Sequence, residues 1–263
     1  IFSTGSPLSP ESFEYVYADI KKDVHLASIC GGTDIVSCFV GGNPNAPVYA
    51  GEIQCKGLGM DVNIFDETGS PIKEKSGELV CLAPFVSKPL YFWNDKKNKK
   101  YLSTYFSKYK NIWCQGDYAK QTSGGSFVVY GRSDATLNSG GIRIGTAELY
   151  NIVEKISNVY ECVAIEQKLK NDTRMVLFVR LKENIKLDGP LKEKIKRKIK
   201  SSLSPRHVPS IIIQVYDIPK TKSGKVVELA IKKVVNNEQI ENIGSLMNPE
   251  SLDNFKNIIE LKD

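Results

Sequence analysis

Histidine and arginine are scarce in this chain of 263 residues: it has two histidines, His25 and His207, and six arginines against thirty lysines. Six cysteines, at 30, 38, 55, 81, 114 and 162, form no CxxC pair and stand beside no histidine cluster. A Cys/His metal site is thereby disfavoured. Long apolar runs are missing as well. Stretches such as Ile211–Ile213 fall far short of the ~20 residues that cross a bilayer, and no basic-then-apolar leader opens the chain. The expectation is a chain without a membrane span or secretory signal, whose cysteines are reduced, buried, small apolar residues of a cytosolic protein.

What is present is an ordinary globular balance, 41% hydrophobic and 25% charged. Charge is unevenly placed. Residues 1–134 carry 14 Lys plus Arg and 14 Asp plus Glu, whereas residues 135–263 carry 22 and 16, so the net charge of +6 belongs to the second half. Two units with different work are expected, the second favouring an anionic partner or simply solubilised by its lysines. The first residue is Ile1, inside what reads as a strand end, so the chain is expected to be a C-terminal portion.

Ser9-Pro10-Glu11 supplies a cap, a first-turn proline and an acidic first turn, with Phe13, Tyr17 and Ile20 at helical spacing. Val24–Cys30 reads as a buried strand ending in Gly31-Gly32-Thr33-Asp34, the kind of strand end where α/β proteins hold ligands. From Val48 to Arg132, short strands and turns predict a small twisted β subdomain, with Asp61–Phe65 and Gly77–Cys81 as examples. Beyond residue 133, Thr146 is expected to cap a helix carrying Leu149, Ile152, Val153 and Ile156. Strands follow near 161–166, 174–181 and 211–216. A lysine-rich helix near 190–203 carries Leu191, Ile195, Ile199 and Leu203 on one face, and another helix lies near 226–235. The fold class is α/β, with a boundary near 133 and a compact second unit of about 130 residues, a usual size for an independent domain.

Ile218-Pro219-Lys220-Thr221-Lys222-Ser223-Gly224-Lys225 presents Lys220, Lys222 and Lys225 together, suited to an electrostatic clamp on phosphoryl or carboxylate oxygens. A solvated hairpin is the other reading, and the spacing is not that of a Walker loop. Asp117, after Gly116, is suited to ribose hydroxyls, and Arg132 and Arg143 to phosphate or ribose oxygens. Taken alone, each of these is equally readable as an ordinary turn with surface charge.

Gly31–Asp34, Gly116-Asp117, Gly131–Asp134, Gly140–Arg143 and Pro219–Lys225 together resemble, in order and spacing, the adenylate-forming acyl-CoA synthetase superfamily. Ile29–Ile35, Phe92–Asp95, Gly145–Glu154, Leu203–Pro209 and Asn248–Leu252 bring the likeness nearest to its acetoacetate-activating members, over essentially all 263 residues. The resemblance implies the end of the large adenylate-forming N-terminal domain over 1–132, a sheet edge plus the β subdomain, followed by a compact α+β lid domain over 133–263.

It implies ATP, Mg²⁺ and coenzyme A as cofactors, acetoacetate as the acid, and neither nucleic acid nor membrane as partner. Gly5, Ser6 and Pro7 would pack on adenine, and Gly31 and Gly32 would flank the nucleotide. Thr33 would contact the α-phosphate, and Asp34 would hold Mg²⁺. Asp117 would bind the ribose hydroxyls, Arg132 the ribose or phosphate, and Arg143 the phosphates. Asp134 would be the hinge, Lys225 the catalytic lysine, and Ser139, Gly140 and Gly141 the lining of the pantetheine tunnel. Lys200 or Arg206 would meet the 3′-phosphate of coenzyme A.

Acetate-activating relatives carry a Trp at the place of Gly31, so glycine there is expected to open the acyl pocket, although cavity size discriminates by only ~1–3 kcal/mol per methylene. The family's Ser/Thr/Gly-rich phosphate loop would lie before Ile1, and the isolated chain is expected not to adenylate. Two competing readings are a ligase for another short or medium-chain acid and a basic module gripping nucleic acid through the lysine-rich helix. The latter leaves Thr33, Asp34, Asp117 and Arg132 without a purpose.

Overall fold

The computed structural model describes residues 1–139, 142–170, 172–240 and 243–262. The chain divides into two compact units, Ile1–Ser133 and Asp134–Asp263. Among the described residues, no helix is long and apolar enough to cross a membrane.

The first unit opens with strand β1 (Phe2–Ser3) and helix α1 (Pro10–Tyr15). Ser9 caps that helix by accepting from the Ser12 amide at 3.3 Å, and a π-helical stretch, Val16–Ile20, continues it. The expected strand before Gly31 is broken in two, β2 (Ala27–Ser28) and β3 (Cys30–Gly32). β2 pairs in parallel with β1. β3 pairs antiparallel with β4 (Ser37–Gly41), which pairs with β5 (Cys55–Lys56).

A second sheet is an antiparallel meander of β6 (Val62–Phe65), β7 (Ser76–Cys81), β8 (Trp113–Gln121) and β9 (Phe127–Arg132). Between β7 and β8 lies helix α2 (Lys99–Tyr105), which has no conventional cap. Its first amides are held by Asp95, whose carboxylate accepts from Lys100 N at 2.9 Å and Tyr101 N at 2.7 Å. Tyr101 and Tyr105 then pack into a core with Phe39, Ile64, Leu79, Phe85 and Trp113.

The second unit begins with a β10 (Leu137–Ser139) and β11 (Ile142–Ile144) hairpin, followed by α3 (Thr146–Val153). The expected cap at Thr146 is corrected here. Gly145 holds the cap position, and Thr146 is the first helical residue, its hydroxyl donating to Glu228 Oε1 at 3.0 Å. β12 (Val159–Lys168) and β13 (Thr173–Leu181) pair antiparallel; α4 (Gly189–Ser202) then leads to β14 (Ile211–Gln214), which lies parallel to β13.

Alternation along β12 and β13 feeds two cores. Cys162, Ala164, Leu177 and Val179 face α3 and α4, while Val163, Ile165, Val176 and Phe178 face α5 (Glu228–Val235) and Phe255. Burial on both faces explains the apolar middles of these strands, residues 162–165 and 175–179. Ile195 and Ile199 on α4 and Leu149 on α3 are fully buried, each contributing about 1.5–3 kcal/mol.

All six cysteines are free; Cys81, Cys114 and Cys162 are fully buried, and Cys30, Cys38 and Cys55 are mostly buried with a small exposed part. The expectation of six buried thiols therefore holds in full for half of them.

Candidate active site

β1 and β2 run parallel, so their C-terminal ends point the same way. β1 leads toward Gly5-Ser6-Pro7, and β2 toward Gly31–Asp34. Ligands in open α/β sheets gather at such ends. Gly5 has φ +99°, a left-handed turn that suits glycine. Thr33-Asp34-Ile35 forms one 3₁₀ turn, closed by Val36 in the left-handed region at φ 47°. Ile35 is fully buried beneath the turn, leaving Thr33 and Asp34 exposed on top. A β-branched residue in that conformation is strained, and strain of this type gathers at functional turns.

The Asp34 carboxylate accepts from the Tyr105 hydroxyl. The Tyr105 ring stacks on Trp113, with centroids 3.8 Å apart and planes 14° apart. Burial, then the bond to Asp34, pushes the Tyr105 phenol up, so it keeps its proton and donates. No group of three or more His, Cys, Asp or Glu among the described residues is arranged to hold a metal alone. A single carboxylate suits Mg²⁺ delivered with a nucleotide, because Mg²⁺ keeps waters and substrate phosphates as its other ligands. Asp34 fits that role.

Asp117 does not lie at a strand end. It sits within β8 beside a left-handed Gly116 at φ +87°, near irregularities in the pairing with β7 and β9. Such irregularities re-aim a side chain. Asp117 faces Arg132 across β8 and β9, with Arg132 Nη1 3.6 Å from Asp117 Oδ1. A Cβ on Gly116 would come within 2.7 Å of the Arg132 guanidinium and displace it, and the φ of +87° favours glycine there in any case. Ser133 secures the end of β9, its amide donating to Gly116 O at 2.8 Å and its hydroxyl to buried Glu78 at 2.7 Å. Glu78 also pairs with Lys108.

Gln115 is the residue that sequence reasoning missed. Its Nε2 donates to Asp117 Oδ2 at 2.8 Å and to Gly31 O at 3.1 Å, tying the acidic group to the Gly31–Asp34 turn. Cys30, pushed well up by burial and then by Asp117, stays a neutral thiol at the same spot. The first unit thus presents a buried carboxylate, a guanidinium and an exposed Thr-Asp turn in one neighbourhood, able to accept from hydroxyls and attract phosphate. Gly32 lies against Gln115 with room for an ordinary contact.

A Cβ on Gly31 would stand 2.1 Å from Ser37 O and 2.5 Å from Cys38 Cα. The missing side chain permits close pairing of β3 with β4, where the register shifts.

In the second unit the three lysines of the 218–225 loop part company. Lys220 turns inward, its Nζ 2.5 Å from Glu161 Oε2. Lys225 is exposed, and its ammonium has no ion pair among the described residues. Its backbone is set by Thr221 N donating to Lys225 O at 2.8 Å and Lys225 N donating to Thr221 Oγ1 at 3.1 Å. The expected presentation of all three lysines together is therefore corrected for Lys220.

Lys200 lines a broad depression of about 750 Å³ with Lys194, Arg197, Lys198 and Ser201 on α4. Arg206 is exposed on the 3₁₀ turn Pro205–His207. Asp134 opens the second unit. Gly140 and Gly141, and the side chains of Ser139 and Arg143, lie outside the described residues; Ser139 and Arg143 are placed only as backbone of β10 and β11.

Residues 148–225 match the AMP-binding enzyme C-terminal domain. Acetoacetyl-coenzyme A synthetase of Rhizobium meliloti (strain 1021) is 55% identical over 260 residues, covering 99% of this chain and 40% of the relative. The acetoacetyl-CoA synthetase of Xenopus tropicalis is 46% identical over 265 residues, covering 100% of the chain and 39% of the relative. The chain therefore spans about 40% of the length of the curated relatives it matches.

Among solved structures, acetoacetyl-CoA synthetase from Streptomyces lividans superposes with a TM-score of 0.88 at 39% identity, covering 97% of this chain and 40% of that one. A benzoate CoA ligase from Burkholderia xenovorans LB400 shares the fold, with a TM-score of 0.71 at 23% identity over 88% of this chain and 45% of that one. The chain is thus similar along its whole length to acetoacetyl-CoA synthetases, and its mixed α/β architecture matches the corresponding region of the Streptomyces lividans enzyme.

Proposed function

We propose that the whole protein is an AMP-forming ligase that joins acetoacetate to coenzyme A. A carboxylate oxygen of acetoacetate attacks the α-phosphorus of ATP, expelling pyrophosphate and leaving acetoacetyl-adenylate. The thiol of coenzyme A then attacks the acyl carbonyl, and AMP leaves. The observation that carries this reading is the Gln115–Asp117–Arg132 assembly bonded to Gly31 at the foot of the Thr33-Asp34 turn.

In this reading Asp117 accepts from the ribose hydroxyls while Arg132, already held by Asp117, faces ribose or phosphate oxygens. A bound charged pair needs little reorganisation when the nucleotide arrives. Gly5, Ser6 and Pro7 pack on adenine. Thr33 donates to the α-phosphate, and Asp34, oriented by Tyr105, would hold Mg²⁺, which would supply charge to offset the phosphates. Lys225 supplies a mobile ammonium to the carboxylate and α-phosphate, with Arg143 on the phosphates.

Residues 1–132 would end the large AMP-binding domain and 133–263 form the lid, with Asp134 as hinge. The division of the chain beside Asp134 and the match over 148–225 support this. Ser139, Gly140 and Gly141 would border the pantetheine path, and Lys200 or Arg206 the 3′-phosphate of coenzyme A. Six free thiols support a reducing, cytosolic setting.

The substrate rests on the relatives' names. An AMP-release assay of the whole protein against acetate, butyrate, hexanoate, octanoate, acetoacetate and branched acids checks it. Acetoacetate is expected to give the highest kcat/KM; a branched or medium-chain acid exceeding it would assign a different ligase.

A further inference from the structure

Lys220 is expected to stand with Lys222 and Lys225 on one loop, and the structure turns its side chain inward instead. Its ammonium and Glu161 Oε2 are 2.5 Å apart, with both side chains largely buried. Arg180 grips the other oxygen of Glu161 at 2.9 Å, lies 3.3 Å from Asp217 Oδ1, and rests over the Tyr160 ring at 4.8 Å. Asn248 completes the set. Its Nδ2 donates to Asp217 Oδ2 at 2.6 Å and to Ile218 O at 2.9 Å, and its Oδ1 accepts from Lys220 N at 2.8 Å.

These groups come from β12, from β13, from the segment after β14 and from the 248 turn, so several separate parts of the second unit meet at one lysine. Beyond Lys220 the loop pairs both with itself and with a later segment, Lys222 N donating to Ser245 O at 3.4 Å and Thr221 bridging Leu246. Lys220 bridges Val226, and Lys225 is bonded to Thr221 through both backbone groups. The stem is therefore fixed to the rigid β12–β13 pair, while the tip, Lys222 to Lys225, is exposed.

We propose that the Glu161–Lys220 ion pair, braced by Arg180, is a positioning clamp that sets where the Lys225 ammonium is delivered. The proposal rests on the adenylation reading above. Its physical basis is that a partly buried ion pair adds little stability over an apolar pair of the same size, because desolvation offsets the attraction, but it fixes geometry in a way an apolar contact does not. Five covalent steps along a hairpin whose backbone bonds are closed carry a shift at Lys220 directly to Lys225. Lys220 is thus a positioning residue, and Lys225 the one that meets substrate.

The test compares Lys220→Met, Lys220→Arg and Glu161→Gln in the whole protein. Acid-dependent ATP–pyrophosphate exchange reports adenylation, thioester formation from synthetic acetoacetyl-adenylate reports the second step, and thermal melting reports folding. Misplacement by about 1 Å costs on the order of 10²-fold in rate. Lys220→Met and Glu161→Gln are expected to lower exchange by about 10- to 100-fold and leave thioester formation within about twofold. Lys220→Arg should recover most of the exchange, and the Lys220→Met, Glu161→Gln double variant should be no worse than either single one, as coupled residues behave.

Lys225→Ala is run alongside. If it leaves exchange intact, the role of Lys225 fails; if the unsubstituted protein shows no acid-dependent exchange, the adenylation reading itself fails. With Lys225→Ala inactive in exchange, undiminished exchange in the clamp variants, or equal loss in both steps, overturns the clamp alone.

Discussion

Lys225→Ala in the whole protein is expected to reduce acetoacetate-dependent ATP–pyrophosphate exchange by orders of magnitude while largely sparing thioester formation from pre-made adenylate. Removing one preorganised group that meets developing charge costs about 10²–10³ in rate, and Lys225 is such a group in the proposed chemistry. Its ammonium is exposed and has no ion pair among the described residues, so the substitution removes no packing. Melting should stay within the small range of ordinary surface changes, about 0.5 kcal/mol. Equal loss in both steps would show that Lys225 serves another purpose.

Gly31→Ala is expected to destabilise the first unit and to lower activity toward every acid alike. The new Cβ would meet Ser37 O at 2.1 Å, a backbone atom that moves only with β4. Overpacking of this kind costs about 1–3 kcal/mol and sometimes more. Because Gln115 is bonded to Gly31 O, the shift would also pass to Asp117. Measured by chemical denaturation and by the acid panel, an unchanged midpoint with a switch in acid preference would favour the pocket reading of Gly31. The larger Gly31→Trp change should not fold at this backbone geometry.

Much of the fold is legible locally. Ser9-Pro10 announces α1 because a cap oxygen and a proline at the first helical position act within a few residues. β12 and β13 announce themselves because burial on both faces demands an unbroken apolar run in their middles. α2 hides for the opposite reason. Its first amides are held by Asp95, five and six residues upstream, so no cap stands at the usual place.

The site divides the same way. Glycines, Asp117 and Arg132 are visible as types suited to a nucleotide, but what joins them is not. Gln115 reaches Gly31 across 84 positions and Tyr105 reaches Asp34 across 71; no local pattern encodes either bond. Lys220 and Lys225 show the converse. Neighbours in sequence, they are separated by a hairpin whose stem is a buried ion pair and whose tip is free. Gly31 shows that a missing side chain has two physical explanations, open space or a close backbone, which only coordinates tell apart.

The central claim is that the acid is activated as an acyl-adenylate. Acetoacetate labelled with ¹⁸O in its carboxylate, turned over by the whole protein with ATP and coenzyme A, tests it directly by mass spectrometry of the released nucleotide. One labelled oxygen should appear in the phosphate of AMP, carried over when the carboxylate oxygen becomes the bridge of the mixed anhydride. Unlabelled AMP, or ADP with label in inorganic phosphate, would contradict the account.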